Sequence, residues 1–435
     1  MKLGKHARAG RLAAGVAGLA LVLTAVGAVV GGEGEVPAVP AAATGTAAGQ
    51  GVRALQAHLR EQPKDAGAWA ALGSAYVEEA RVSGDAARYP QAEKALARSL
   101  ELRPDDNADA IAGRAALAAA RHDFPGALRA ADGALAVNAY SERALAVRID
   151  ALVELGRYAD ALAAAKLADA RRPGIPVFTR FAYVRELRGE TEEARRVLEL
   201  ALDSAARRAD VAYTSTALGQ LAWSQGDYTE ALRRCGLALK AEPGNPEAGE
   251  CRARALAGKG DLKGAIKEFD DLVGRYPLPG RLVALGELYE ATGQPEHARE
   301  QYAVVETYTG LARAGGVNPD LDTALAAADH GDRAAALRAA RAEWQRRRTV
   351  HTEDALAWAL HRSGESKEAL AHAKLATATG YRNAAFLFHR GMIERAVGDT
   401  AGARASLSLA LELNPGFSPL GSRDARRALD ALEGS

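Results

Sequence analysis

Aromatic residues are scarce, 5% of a 435-residue chain, and cysteine is nearly absent, with only Cys235 and Cys251. So few bulky side chains cannot fill one thick core, and the abundant alanine instead suits helices that pack closely through small residues. Neither cysteine belongs to a CxxC pair, which excludes a zinc ribbon, a thioredoxin-like redox motif and a disulfide-dense mini-fold. Charge bias is missing as well: 56 basic residues face 55 acidic ones. No global field therefore draws nucleic acid or an anionic membrane surface. P-loop, HExxH, GxSxG and GxGxxG signatures are absent, and carboxylates lie beside Arg and Lys at helical spacing, as on a solvated salt-bridged surface. The expectation is a protein that is not an enzyme and carries neither a cofactor nor a metal.

One long apolar run is present. Leu12 to Val30 carries no charge and stands behind a basic flank, 1–11, that holds Lys2, Lys5, Arg8 and Arg11. A spanning helix needs roughly 17–25 residues and the apolar core of a cleaved signal about 7–15. Length favours an uncleaved membrane anchor over 12–31. The weak hydrophobicity of its Ala and Gly, and small-residue sites at Ala25-Val26-Gly27 and Ala41-Ala42-Ala43, keep a cleaved signal open, and a buried helix is the remaining alternative. Under either of the first two readings the flank stays inside and the rest is outside the cytoplasm, single-pass in the cell membrane or secreted. No cysteine follows the run, so a lipoprotein anchor is excluded. Residues 32–50, rich in Gly, Pro, Ala and Thr, read as a flexible linker.

The remainder repeats. Gly156, Gly189, Gly226, Gly260, Gly293, Gly331, Gly364 and Gly398 recur at nearly even intervals. An alanine follows each by five: Ala161, Ala194, Ala231, Ala265, Ala298, Ala336, Ala369 and Ala403. Glycine turns the chain between two helices, and the alanine marks their closest crossing. Core positions follow four further on, at Leu198, Cys235, Phe269, Tyr302 and Leu407, and Pro104, Pro173, Pro243, Pro277 and Pro415 close units. "WAALGSAY", Trp69 to Tyr76, then supplies W-x2-L-G-x2-Y. Its second half, Tyr89, Ala92, Leu96 and Pro104, arrives late, as after an insertion of about two helical turns. On these residues the chain resembles the tetratricopeptide repeat (TPR) proteins, whose unit is about 34 residues. The resemblance implies an all-α fold: an α-solenoid, a right-handed superhelix of antiparallel helix pairs. About ten units span 51–420 with a half unit at the start, and a polar capping helix follows at 421–435.

In such proteins the first helix of each unit lines a concave surface that docks extended peptides or partner domains. The resemblance thus implies a scaffold for an unidentified protein or extended peptide, set in a bacterial envelope by the N-terminal segment. The positions opposite the core stripe include Tyr183, Glu186, Tyr213, Thr216, Gln220, Trp223, Glu250 and Arg254, then Asp354, Trp358, His361, Phe388, Met392 and Arg395. Exposed aromatics there would anchor the interface, Trp223 and Trp358 first. The Lys/Asn set with which some family members grip chaperone tails is missing. A second reading is a metal- or small-ligand-handling protein, because five of nine histidines, His330, His351, His361, His372 and His389, cluster near the end. His351 and His361 lie nearly three turns apart, whereas metal ligands usually lie one turn apart, so no metal set is assigned. Cys235 and Cys251 flank the turn "AEPGNPE" at similar heights on facing helices. A disulfide and two separate buried thiols both fit.

Overall fold

A computed structural model describes residues 47–83, 87–314 and 320–433. The basic flank, the apolar run and the linker as far as residue 46 lie outside the described residues. The described residues form 22 α-helices and no strand. A lone helix α1 (Ala47–Glu61) begins just inside the expected linker and packs on α2. Ten pairs follow. The first three are α2 (Ala66–Ser83) with α3 (Arg88–Leu102), α4 (Ala108–Ala120) with α5 (Phe124–Val137), and α6 (Glu142–Glu154) with α7 (Tyr158–Arg171). Next come α8 (Ile175–Glu186) with α9 (Thr191–Asp203), α10 (Arg208–Ser224) with α11 (Tyr228–Ala241), and α12 (Pro246–Gly258) with α13 (Leu262–Val273). The last four are α14 (Pro279–Ala291) with α15 (Pro295–Ala314), α16 (Asp320–His330) with α17 (Arg333–Arg346), α18 (Val350–Arg362) with α19 (Ser366–Ala376), and α20 (Ala384–Ala396) with α21 (Thr400–Leu413). A final helix, α22 (Pro419–Glu433), packs on α21, α20 and α14.

Local chemistry explains the pairs. Gly156, Gly189, Gly226, Gly260, Gly293, Gly364 and Gly398 all have φ between 70° and 93°, the left-handed turn that a residue without Cβ adopts freely. The aspartate after several of them caps the next helix: Asp227 accepts from the Glu230 N–H, Asp261 from Gly264 and Asp399 from Gly402. The alanines that follow the glycines by five are buried to 1% exposure or less. Each Leu-Gly glycine is a hole for a knob from its partner helix. A Cβ at Gly219, Gly286 or Gly391 would collide with Cys235, Tyr302 or Leu407, always at the same separation along the chain. In the first pair the knob for Gly73 is Leu96, which lies farther along by the length of the inserted segment.

The array curves because its two helix types pack differently. Along most of it each first helix packs on the next first helix, while second helices make their substantial contacts with first helices. The first helices therefore form the inner layer and the second helices the splayed outer one. The curvature is tight enough that the chain returns to itself. Arg347 bonds to Glu154 across 193 residues, about 5.7 units of 34. Beside it the Val350 N–H donates to the Tyr158 hydroxyl (2.8 Å), and a Cβ on Gly156 would strike the Arg348 carbonyl. Farther along, Gly189 meets the Gly380 carbonyl, and Gly226 meets Leu413. Asn414 Nδ2 donates to the Trp223 carbonyl (2.8 Å), the Tyr228 hydroxyl donates to Asn414 Oδ1 (2.5 Å), and the Ser418 hydroxyl donates to Glu287 (2.8 Å). One apolar cluster crosses this seam, joining Leu145, Phe181 and Leu218 to Val350, Ala376 and Phe386. Units eight to ten thus lie edge-on against units three to seven.

Candidate functional site

The residues expected to bind a partner do project from first helices, but local packing divides them into two groups. Toward the end of the array the anchors are consumed by packing. Trp358 is 4% exposed and Phe388 6%. The Trp358 indole donates to Asp329 (2.9 Å) and stacks on His389 at 4.2 Å between ring centres, with Phe388 at 5.7 Å. These two rings correct the expectation of exposed aromatics here: they pack between the neighbouring first helices α16, α18 and α20. His361 is partly exposed and hydrogen-bonded to Ser366, while Met392 is partly buried in the same apolar cluster.

The clustered histidines are held by separate partners. His389 contacts both Asp354 oxygens at 3.0 Å, and His372 meets Glu353 at 2.6 Å. His330 stacks on Tyr302 at 4.0 Å, between Glu287 and Glu290. His351 packs against Tyr381 and Phe386. No three His, Cys, Asp or Glu among the described residues are arranged to hold a metal ion. Burial acts to lower His389, but Asp354, with Asp329 and Glu287 behind it, outweighs burial and holds the imidazole above its ordinary value. Burial first, then the Arg347 charge, pulls His351 down to about 4; burial, Arg362 and His389 do the same to His361. Both are neutral at pH 7.

The middle units differ. On α8, α10 and α12, Tyr183, Tyr213, Gln220, Trp223 and Arg254 all keep partial exposure. Arg254 lies 5.7 Å over the Trp223 ring and pairs with Glu250, which also receives Arg281 (2.9 Å). Burial raises Glu250, but the two guanidinium groups outweigh it and leave the carboxyl below its ordinary value. Asp150 on α6 is bound by Arg180 Nε at 2.9 Å, and Arg180 Nη1 reaches the Pro176 carbonyl (2.8 Å). Two buried donors on this stretch find no acceptor among the described residues, Arg180 Nη2 and Trp223 Nε1. Leaving such donors unpaired costs about 1–3 kcal/mol each.

Cys235 and Cys251 are joined as a disulfide, with Cα atoms 6.0 Å apart. Gly219 supplies the space, since a Cβ there would meet both sulfurs. Sequence reading missed His122: it sits one repeat length before Gly156 in the glycine slot, with φ 61°, followed by the cap Asp123 and the buried Ala127. The Asp and the fixed step to alanine were the signal.

The chain is built from TPR-like helical repeats. No family model matches it, and no curated protein is similar to it. Among solved structures it is similar to the human IFIT1 dimer with m7Gppp-AAAA, at 15% identity over 75% of this chain and 76% of that one, TM-score 0.47. It is also similar to the APC/C hetero-tetramer Cut9-Hcn1, at 14% identity over 87% and 81%, TM-score 0.41. A third is a thermophilic TPR protein of Thermus thermophilus, at 25% identity over 39% and 91%, TM-score 0.36. No helix among the described residues is long and apolar enough to cross a membrane.

Proposed function

We propose that this chain is a non-catalytic scaffold that binds an extended segment of another protein along the inner face of α8, α10 and α12. The observation that carries the reading is the set Tyr183, Tyr213, Gln220, Trp223 and Arg254, which keeps partial exposure on these first helices while Trp358 and Phe388 do not. Aromatic rings offer an extended peptide contact area at little entropic cost. The anchors move from the pair Trp223 and Trp358 to Trp223 alone, because Trp358 already has its partners. We further infer that the scaffold works outside the cytoplasm, tethered or secreted. The apolar run after a basic flank supports this, as does a disulfide, which persists in oxidising compartments.

The test is capture from the source cells with the full chain and with Trp223→Ala. A retained protein whose affinity falls by about 2 kcal/mol or more in the variant, roughly thirty-fold, supports the reading. Retention unchanged by Trp223→Ala, with the variant's melting curve intact, refutes docking at this face.

A further inference from the structure

One carboxylate on the inner layer stands without compensation. Glu186 closes α8, where the negative end of the helix dipole already disfavours an anion. Its side chain makes no hydrogen bond or ion pair among the described residues, although it is partly buried. Neighbouring cations are committed elsewhere: Arg185 and Arg188 pair with Glu190, and Arg347 pairs with Glu154 and Glu343. Aromatic rings gather at the same place because the seam brings them there. Gly189, just beyond Glu186 at the turn, abuts Gly380, the residue before Tyr381. The Tyr381 ring lies 5.7 Å from His351 and edge-on to Phe386 at 5.7 Å. Tyr183 from α8 and Tyr158 from α7 pack on the same apolar cluster and, like Tyr381, keep partial exposure. Both Tyr183 and Tyr381 feel the charge of Glu186.

We propose that Glu186, with Tyr158, Tyr183 and Tyr381, forms a binding site for an organic ammonium group. Ring faces attract a cation through their quadrupoles, the more so when it is desolvated, and the carboxylate supplies the counter-charge. A strongly hydrated metal ion suits such a site less, since the tyrosine faces cannot replace its oxygen ligands. The ammonium can come from a lysine of the docked partner or from a free small amine. Burial pushes the Glu186 carboxyl up to about 7, so binding favours the ionised form and releases a proton near neutrality. The tyrosines and the histidine around it do not change charge there. Burial holds Tyr183 and Tyr381 up, and His351 at about 4 is already neutral. Tyr158 is raised to about 12, and burial also raises Glu154 against the opposing pull of Arg347.

The experiment titrates the full chain with choline, with its neutral carbon isostere 3,3-dimethylbutanol, and with N-acetyl-lysine methylamide, following tyrosine resonances. Saturable binding of choline or of the lysine probe, at least ten-fold weaker in Glu186→Gln and absent for the isostere, supports the site. Which of the two cations binds identifies the source. Binding should also be about ten-fold tighter at pH 8 than at pH 6, following the ionised fraction of a group near 7. Equal binding of the isostere, unchanged affinity in Glu186→Gln, or no binding of either cation overturns it. Trp223→Ala is expected to leave choline binding unchanged, so this result and the capture experiment fail independently.

Discussion

Single residues in this chain carry two burdens that spacing alone does not separate. Gly156 and Gly398 look alike in sequence, and both take a left-handed φ. Only Gly156 also faces a foreign carbonyl, while Gly398 has open space around its Cα. Glu186 shows the same split: in sequence it is one more acid on a polar helix face, and in the fold it is a carboxylate without a cation. Its folded-state pKa of about 7 lies above the ordinary 4.5. The folded chain therefore holds that proton more tightly than the unfolded chain. The associated stability is fully present below pH 4.5 and is lost as the pH rises through 7. Glu186→Gln removes the titration and is expected to stabilise the protein by about 2–3 kcal/mol at pH 8. The gain should vanish below pH 4.5, as read by denaturant unfolding at the two pH values. Equal stability of the two proteins at pH 8 would show that the carboxylate is solvated.

Elements were the most legible scale. Glycine, aspartate and alanine at fixed offsets mark helical turns that need a left-handed residue, a cap and a close crossing, and these are local requirements written within about ten residues. Legibility failed where another residue met the same need. His122 takes the left-handed φ at the end of α4, and stacking on Phe124 at 5.6 Å holds it there. The crossing of α10 and α11 shows how narrow the tolerance is. Ala231 is fully buried, and its backbone lies 3.4 Å from where a Cβ on Gly219 would sit, with the Cys235 and Cys251 sulfurs filling the rest. Ala231→Leu is expected to cost about 1–3 kcal/mol through overpacking. Because stability in such arrays is set by neighbouring units, hydrogen exchange should rise in α10 to α12 and stay unchanged in α2 and α3. A uniform rise along the chain would mean that the array unfolds as one unit.

The whole-molecule form was not legible, since nothing within one repeat says how far the coil tightens. Its seam rests on pairs such as Glu154 with Arg347 and Tyr228 with Asn414, 193 and 186 residues apart. Trp358 and Phe388, by contrast, are spent on local packing between neighbouring first helices, while Trp223 keeps partial exposure. Two matched glycines test the seam. Gly189 and Gly398 have φ of 74° and 87°, so alanine at either position incurs the same left-handed penalty, about 1–2 kcal/mol. At Gly398 a methyl group enters open space, whereas at Gly189 it meets the Gly380 carbonyl and drives the two edges apart. Gly398→Ala should therefore lower stability slightly and leave the radius of gyration in solution scattering unchanged. Gly189→Ala should cost a further 1–3 kcal/mol or so and expand the particle, since the carbonyl it meets belongs to the opposite edge of the seam. Identical scattering and identical stability losses for the two variants would mean that the turns of the coil stand apart in solution.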